Sequence, residues 1–492
     1  MWGDWMEAFI NFLNDALWST PMIVFCLGVG LLFTIWTRFV QVRLFKDMLT
    51  HTFKGKSSSA GVSSFQALAI SLSGRVGTGN IAGTATAIAF GGPGAVFWMW
   101  TIAFIGASSA FIESTLAQVY KEKQEGQYRG GPAYYIEKGI GWKWYAVLFA
   151  GAAILATSFL MPGIQANAIG EGLNNAFNAD KTWVAVALVI VIGLIIFGGV
   201  KRIASVAQVV VPFMAVAYVF LAIIIISMNI TELPGVIGLI FSSAFGFDSA
   251  FGGVLGAAIA WGVKRGIYSN EAGQGTGPHA AAAAEVSHPA KQGLVQAFSV
   301  YIDTLLVCSA TAFMILFTGM YNVHGAEEGQ FLRVGIGEMV AAGPAYTQGA
   351  IESVLPGFGA GFVGIALLFF AFTTIMAYYY IAETNIAYLF KQGKWNKVGM
   401  FLLKVVLLVA VFFGVTREAG AAWALGDIGL GLMVWINLIA ILILAKPAIA
   451  VLRDYDEQKK AGLDPTFDPE KLGIKNADFW VKEYKKEDDK AS

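Results

Sequence analysis

The chain has 492 residues, of which 57% are hydrophobic and 13% charged, where a soluble protein usually carries about 25% charged residues. Its mean hydropathy is +0.64 and its formal net charge is zero. There is no basic excess to bind nucleic acid and no acidic tail; the main solvent of this chain is lipid.

Residues 1–15 carry acids at Asp4, Glu7 and Asp15 and no base, which is not the basic start of a signal peptide. Trp2, Trp5, Met6, Phe9, Phe12 and Leu13 recur at helical spacing and predict a short amphipathic helix at the membrane interface. Eleven membrane spans follow, at 17–37, 65–90, 94–120, 144–169, 182–197, 207–228, 249–282, 294–319, 358–388, 398–414 and 421–444. The loop after the first span holds Arg38, Arg43, Lys46, Lys54 and Lys56 and is expected inside. Alternation from there places most remaining Lys and Arg inside, the N-terminus outside and the C-terminus in the cytoplasm. The tail from Lys446 mixes charges of both signs and reads as solvated, partly disordered chain.

With the first span set aside, ten remain, five before Met228 and five after it. Five is odd, so the halves have opposite topology, an inverted repeat typical of transporters. The expected divisions are an N-terminal region (1–64), a first repeat (65–228), a second repeat (229–445) and a cytoplasmic tail (446–492). The opening helix of each half is interrupted by glycines: SLSGRVGTGNIAG at 71–83 and AWGVKRGIYSNEAGQGTG at 260–277. Each internal glycine weakens a helix by about 1 kcal/mol against alanine. Freed N–H groups at such a break suit a carboxylate, and freed carbonyls suit an ammonium or Na⁺. Close helix packing is the other use of glycine in a membrane.

Arg75, Lys264 and Arg265 lie within these segments, where each needs a partner or water. The acids available are Glu113, Glu271, Asp303 and Glu383. They predict an ion-pair network with the bases, either a cytoplasmic gate or a static brace. Asn80, Asn270, Gln165 and Asn167 are further polar groups inside spans, of which Asn80 adjoins the first break. Thr373 and Thr374 either bond back to their own helix or offer oxygens to Na⁺. Cys26 and Cys308 read as packing residues. His51, His279, His288 and His324 form no HxxxH pair, and there is no nucleophile elbow or phosphate loop to suggest an enzyme.

The stretch GPGAVFWMWTIAFIG (92–106), with RGIYSNEAGQGTGP (265–278) and GTGNIAG (77–83), resembles the signature blocks of the alanine or glycine:cation symporter family, the sodium:alanine symporters. The resemblance runs from about residue 17 to about 444. It implies an all-α LeuT-type fold with a 5+5 inverted repeat, a discontinuous first helix in each half and one extra N-terminal helix. It implies uptake of alanine or glycine with Na⁺ (sometimes H⁺) across the inner membrane, with no organic cofactor. By that resemblance the substrate carboxylate meets N–H groups at Thr78, Gly79 and Asn80, and the ammonium meets carbonyls at Ala260, Trp261 and Gly262. Gln165 and Trp261 would wall the pocket. Sodium would take carbonyls of Ser73, Val76 and Phe370 with the hydroxyls of Thr373 and Thr374. Arg75, Glu113, Lys264, Arg265 and Asp303 would form the gate network. A proton-coupled or exchanging carrier on the same fold is the rival reading, with Asp303 or Glu113 as the proton site.

Overall fold

The computed structural model describes residues 2–484 except 198, 249–250, 252–254, 326, 328, 392 and 418. The chain is almost entirely helical. In order come α1 (Trp2–Leu17), α2 (Thr20–Trp36), α3 (Phe45–Lys54), α4 (Ser64–Arg75), α5 (Thr84–Gly91), α6 (Gly94–Val119), α7 (Lys143–Leu155), α8 (Pro162–Phe177), α9 (Lys181–Ile196) and α10 (Gly199–Met228). Then follow α11 (Leu233–Ala244), α12 (Leu255–Asn270), α13 (Gly277–Ala282), α14 (Pro289–Val300), α15 (Ser309–Thr318), α16 (Pro344–Val354), α17 (Gly359–Phe390), α18 (Lys394–Thr416), α19 (Ala419–Ile443) and α20 (Ala445–Lys460). Two small antiparallel hairpins, Glu122–Gln124 with Gln127–Arg129 and Val323–His324 with Phe331–Arg333, close loops.

Among the described residues, eight helices are long and apolar enough to cross a membrane. Their outer faces show why. On α10, Val209, Phe213, Val216, Phe220 and Ile223 form an exposed stripe at helical spacing. The opposite face buries Ala207, Val211, Met214, Tyr218, Leu221 and Ile225. A helix that is apolar on both faces fits a bilayer and not water. The chain is a multi-pass membrane protein. The expected span at 65–90 and residues 255–282 of that at 249–282, whose first residues lie outside the described ones, appear instead as pairs of short helices, α4 with α5 and α12 with α13, because both are broken.

Small residues let the inner helices approach closely. A Cβ on Gly266 would lie 2.4 Å from Ile102, and one on Gly262 would lie 2.6 Å from the Ala95 carbonyl, so α12 is pressed against α6. α6 also packs along α14, and α8 packs along α17 and α18. These contacts hold the two broken helices in the centre of the bundle.

The tail departs from expectation. Tyr455, Phe467, Phe479 and Trp480 are buried, and Trp480 Nε1 donates to the Gln118 carbonyl at 2.9 Å. Lys121 sits over the rings of Tyr128, Phe479 and Trp480 at 4.2, 4.7 and 5.2 Å. Ion pairs Arg43–Asp456 (2.7 Å), Lys291–Asp464 (2.6 Å) and Lys459–Asp47 tie the tail to the turn before α3, to α14 and to α3. His51, bonded to Tyr455 Oη at 2.7 Å, is pushed down to about pKa 4 by burial and then by Lys291. The charged sequence concealed four aromatic side chains, whose burial folds the described part of the tail across one end of the bundle. It is therefore not solvated chain.

Candidate functional site

The first break begins where α4 ends at Arg75. Val76 leaves the helix with ψ near 83°, and the chain resumes as a wide helical turn at Gly79–Gly83 before α5. Gly77 is required by close approach: a Cβ there would lie 2.4 Å from Thr374 Oγ1 and 3.1 Å from Gln165 Oε1. The freed backbone donors do exist, and neutral amides meet them. The Gly77 N–H donates to Asn80 Oδ1 at 2.8 Å, and the Thr78 N–H donates to Gln165 Oε1 at 3.0 Å. Gln165 Nε2 donates in turn to Tyr268 Oη at 3.0 Å. Thr78, Asn80 and Gln165 are thus brought together as the sequence suggested. Gly79 packs against Ser269 of α12, where a Cβ would meet the Ser269 Cα at 3.1 Å.

The second break is built differently. Glu271, Gly273 and Gly275 have φ of +55°, +82° and +87°, so three left-handed positions fall between α12 and α13 and no helix can pass through them. The Gly273 and Gly275 N–H groups donate to the carboxylate of Glu113 at 3.2 and 3.1 Å. Asn437 Nδ2 donates to Glu113 Oε2 at 2.8 Å and to the Gly273 carbonyl at 2.9 Å, and Tyr135 Oη donates to Asn437 Oδ1. Here the protein's own carboxylate fills the role of anion at freed N–H groups.

This position corrects the expected one. Ala260, Trp261 and Gly262 lie inside α12, more than two turns before the break, where their carbonyls belong to the helical ladder. Gly262 is a packing glycine, and Trp261 stacks on Phe90 at 4.8 Å and lies 5.0 Å from the Arg265 guanidinium.

Asp303 joins the two breaks. Its Oδ1 accepts from Asn80 Nδ2 at 2.7 Å and from Ser269 Oγ at 3.1 Å, and its Oδ2 accepts from Thr304 at 2.6 Å. It projects from a wide, π-helical stretch, Tyr301–Cys308, between α14 and α15.

The expected sodium residues, Ser73, Val76, Phe370, Thr373 and Thr374, are all fully buried. Ser73 Oγ donates to the Ile70 carbonyl at 2.6 Å, and Thr373 and Thr374 donate to the Phe370 carbonyl at 2.9 and 3.0 Å. Each hydroxyl proton therefore points along its own helix and leaves oxygen lone pairs for a hard cation. Thr374 reaches Gly77, one residue beyond Val76. Oxygen atoms of this kind are the ligands a hard cation takes. Among the described residues no group of three or more His, Cys, Asp or Glu could hold a metal ion.

The expected gate network is not one network. Lys264 pairs with Asp427 at 2.7 Å, and Arg265 grips the same carboxylate with two bonds, of 2.7 and 3.1 Å. The Arg265 guanidinium also lies 4.2 Å over the ring of Trp423. Asp427 was not among the acids expected, although a lone acid inside the apolar run of α19 is itself a signal. Glu383 pairs with Arg129 at 3.0 Å. Arg75 donates from Nη1 to the Gln296 carbonyl at 3.0 Å and to Ser299 Oγ. Arg75, Glu113 and Asp303 bond to different partners, although the charge of Arg75 acts on both acids through space, and all three stand apart from the Lys264–Arg265–Asp427 cluster. The sequence also gave no sign of Tyr268, Ser269, Asn437 and Tyr135, whose partners lie far along the chain. Asn167 is a packing bond, donating to the Arg417 carbonyl at 2.7 Å.

Buried polar groups gathered at two helix breaks suit a transport site, and similarity to known proteins agrees. Solved structures of a manganese transporter from Eremococcus coleocola share the fold, with TM-score 0.50 and 13% identity over 86% of this chain and 83% of that one. The putative sodium/proton-dependent alanine carrier protein YrbD of Bacillus subtilis (strain 168) is 69% identical over 99% of this chain and all of its own length. The sodium/proton-dependent alanine carrier protein of Bacillus sp. (strain PS3) is 57% identical over 89% of this chain and 97% of its own. The probable sodium/glutamine symporter GlnT of Bacillus subtilis is 46% identical over 94% of this chain and 93% of its own. Residues 3–469 match the sodium:alanine symporter family. The protein is therefore a cation-coupled amino-acid symporter and not an enzyme, and it belongs to the sodium:alanine symporter family.

Proposed function

We propose that the protein imports a small neutral amino acid, alanine or glycine, together with Na⁺ by alternating access on a LeuT-type 5+5 inverted repeat of eleven spans. The repeats are 65–228 and 229–445, the N-terminus is outside, and the tail is in the cytoplasm beneath the inner membrane. The observation that carries this reading is the Thr78 N–H donating to Gln165 Oε1 beside Thr374. An entering carboxylate takes the place of that amide oxygen, with Gly79 and Asn80 adjoining. Its ammonium faces the free carbonyls at the C-terminal end of α12, Tyr268 to Asn270, where a half-helix favours positive charge. Na⁺ sits beside it between Ser73, Val76, Phe370, Thr373 and Thr374. Two alanine carriers are more similar to this chain than the glutamine symporter, which supports alanine.

With the N-terminus outside, the Lys264–Arg265–Asp427 cluster lies between the outer end of α12 and the second break. It then seals the outer path, not the cytoplasmic one. One Na⁺ moving down 100 mV yields about 2.3 kcal/mol, and a tenfold gradient about 1.4 more. That supports a roughly 500-fold accumulation of a neutral zwitterion. The rival reading, proton coupling on the same fold, is favoured by the sodium/proton-dependent names of two relatives.

The test is labelled alanine uptake into liposomes containing the purified protein, with an inward Na⁺ gradient and then with K⁺ in place of Na⁺ at fixed pH. Accumulation only with Na⁺ is expected. Equal uptake in K⁺ would reject sodium coupling, and no uptake of alanine or glycine would reject the substrate.

A further inference from the structure

Four buried carboxylates surround the two breaks, and three of them are saturated. Both oxygens of Glu113 accept hydrogen bonds, from Gly273, Gly275 and Asn437. Both oxygens of Asp303 accept, from Asn80, Ser269 and Thr304. Both oxygens of Asp427 are held by Arg265 and Lys264. A carboxylate surrounded only by donors takes a proton at the cost of one of those bonds.

Glu271 is different. Its Oε2 accepts from Thr276 Oγ1 at 2.9 Å, while its Oε1 is buried without a partner. The residue lines a cavity of about 10 Å³ with Ser71, Gly74, Thr276, Ala377 and Tyr380. That is room for about one water. Ser71 Oγ and Arg75 Nε and Nη2 are also buried and unpartnered. A Cβ on Gly277 would lie 2.6 Å from Arg75 Nη2 and 3.7 Å from Ser71 Oγ, and one on Gly74 would lie 3.1 Å from Glu271 Oε2. The unpartnered groups therefore converge on the seam where α4 meets the second break and the head of α13.

We propose that this cluster is a proton-binding site, with Glu271 as the residue that takes up and releases the proton and Ser71 and Arg75 as positioning residues. The proposal rests on the reading of the protein as a cation-coupled carrier. A hydronium ion entering the cavity leaves water, and its proton forms an O–H bond at Glu271 Oε1. The new acid donates to Ser71 Oγ. Uptake removes the negative charge that faces Arg75 across the seam, and release restores it, so proton occupancy sets how firmly α4 holds the second break. A metal cation is a poorer occupant. The cavity offers few oxygens and lies beside the fixed charge of Arg75, whereas a hard cation requires several oxygen ligands. The other charged or titratable groups near this one are Glu113 from α6, Asp303 from the 301–308 stretch, Tyr268 from α12, Tyr378 and Tyr380 from α17, and His279 from α13, whose carbonyl accepts from Tyr380. His279 is engaged by the Thr276 carbonyl and Asn385, so it does not compete for the proton.

The experiment reads protons per alanine in liposomes carrying a trapped pH dye. Wild-type protein is expected to acidify the lumen as alanine enters on a Na⁺ gradient, at a rate that changes with pH. Glu271→Gln is expected to carry alanine without acidification and with a flat pH profile. Alanine-linked acidification in Glu271→Gln, or Na⁺-driven uptake by wild type with no proton movement, overturns the proposal. Infrared titration in detergent decides the matter independently of transport and of how well Glu271→Gln folds. A carboxylic-acid band should rise in wild type as pH falls, with its midpoint displaced in Ser71→Ala. A missing band or an unmoved midpoint overturns the proton site. Failure of wild type to take up alanine or glycine would instead reject the carrier reading.

Discussion

The two helix breaks are alike in sequence and opposite in construction. The first, at Val76–Thr78, is short, has no left-handed residue, and is met by the neutral amides of Asn80 and Gln165. The second, at Glu271–Thr276, has three left-handed positions and is clamped by the Glu113 carboxylate and Asn437. A neutral amide on a freed N–H is readily displaced by a charged ligand. A buried carboxylate on freed N–H groups is a permanent fixture, because removing it leaves donors unpaired. The first break is therefore suited to exchanging ligands and the second to holding its shape.

The largest effect is expected at the second break. Glu113→Ala orphans three buried donors, each worth about 1–3 kcal/mol when unpaired, so a stability loss of about 3 kcal/mol or more should appear in thermal unfolding of the detergent-solubilised protein. Unfolding like wild type would show that the glycine turn holds itself, and the contrast would fail. Gly275→Ala should follow, losing about 2–3 kcal/mol, since its φ is +87° and its Cβ would lie 2.8 Å from Pro132. Gly77→Ala meets no left-handed strain, but its Cβ would displace Thr374 and Gln165. It should lower alanine uptake more than tenfold while costing about 1–2 kcal/mol in unfolding, the penalty of overpacking alone.

Gln165→Ala removes the oxygen on Thr78. It should lower KM for alanine severalfold, because the entering carboxylate no longer has to displace that oxygen, and should cost about 1–3 kcal/mol in unfolding of the empty protein, where the Thr78 N–H is left unpaired. An unchanged KM would move the carboxylate site elsewhere. Thr374→Ala should raise the Na⁺ concentration for half-maximal uptake severalfold, and an unaltered sodium dependence would remove this hydroxyl from the cation site. The smallest effect lies outside both breaks. Neutral His51, on α3 against Tyr455, is favoured while the tail is docked, where its pKa falls from 6.5 to about 4, so His51 binds more protons once the tail is released. The stability it contributes is complete above pH 6.5 and declines as pH falls toward 4. Limited proteolysis of the tail should accelerate over that range, and less so in His51→Phe, while the breaks stay intact.

Much of this protein is legible in one dimension. Long uncharged runs such as 209–227 specify membrane helices because lipid satisfies no backbone group, leaving the helix to satisfy its own. Glycine clusters at 74–83 and 262–275 mark the segments in which helices fail, and the sequence blocks at 92–106 and 265–278 point to the family. The register of the second break was not legible. Gly262 and Gly266 read like Gly273 and Gly275, but the first pair makes room for α6 and the second pair adopts positive φ. Composition cannot separate a glycine kept for closeness from one kept for its backbone angle. Nor could the sequence match charges: Arg265 finds Asp427 across 162 residues, and Trp480 finds Gln118 across 362. Local chemistry determined that long apolar segments enter the membrane and that two of them break. Only the folded bundle decided which donor meets which acceptor, because buried pairing is set by distances between helices that sequence order does not encode.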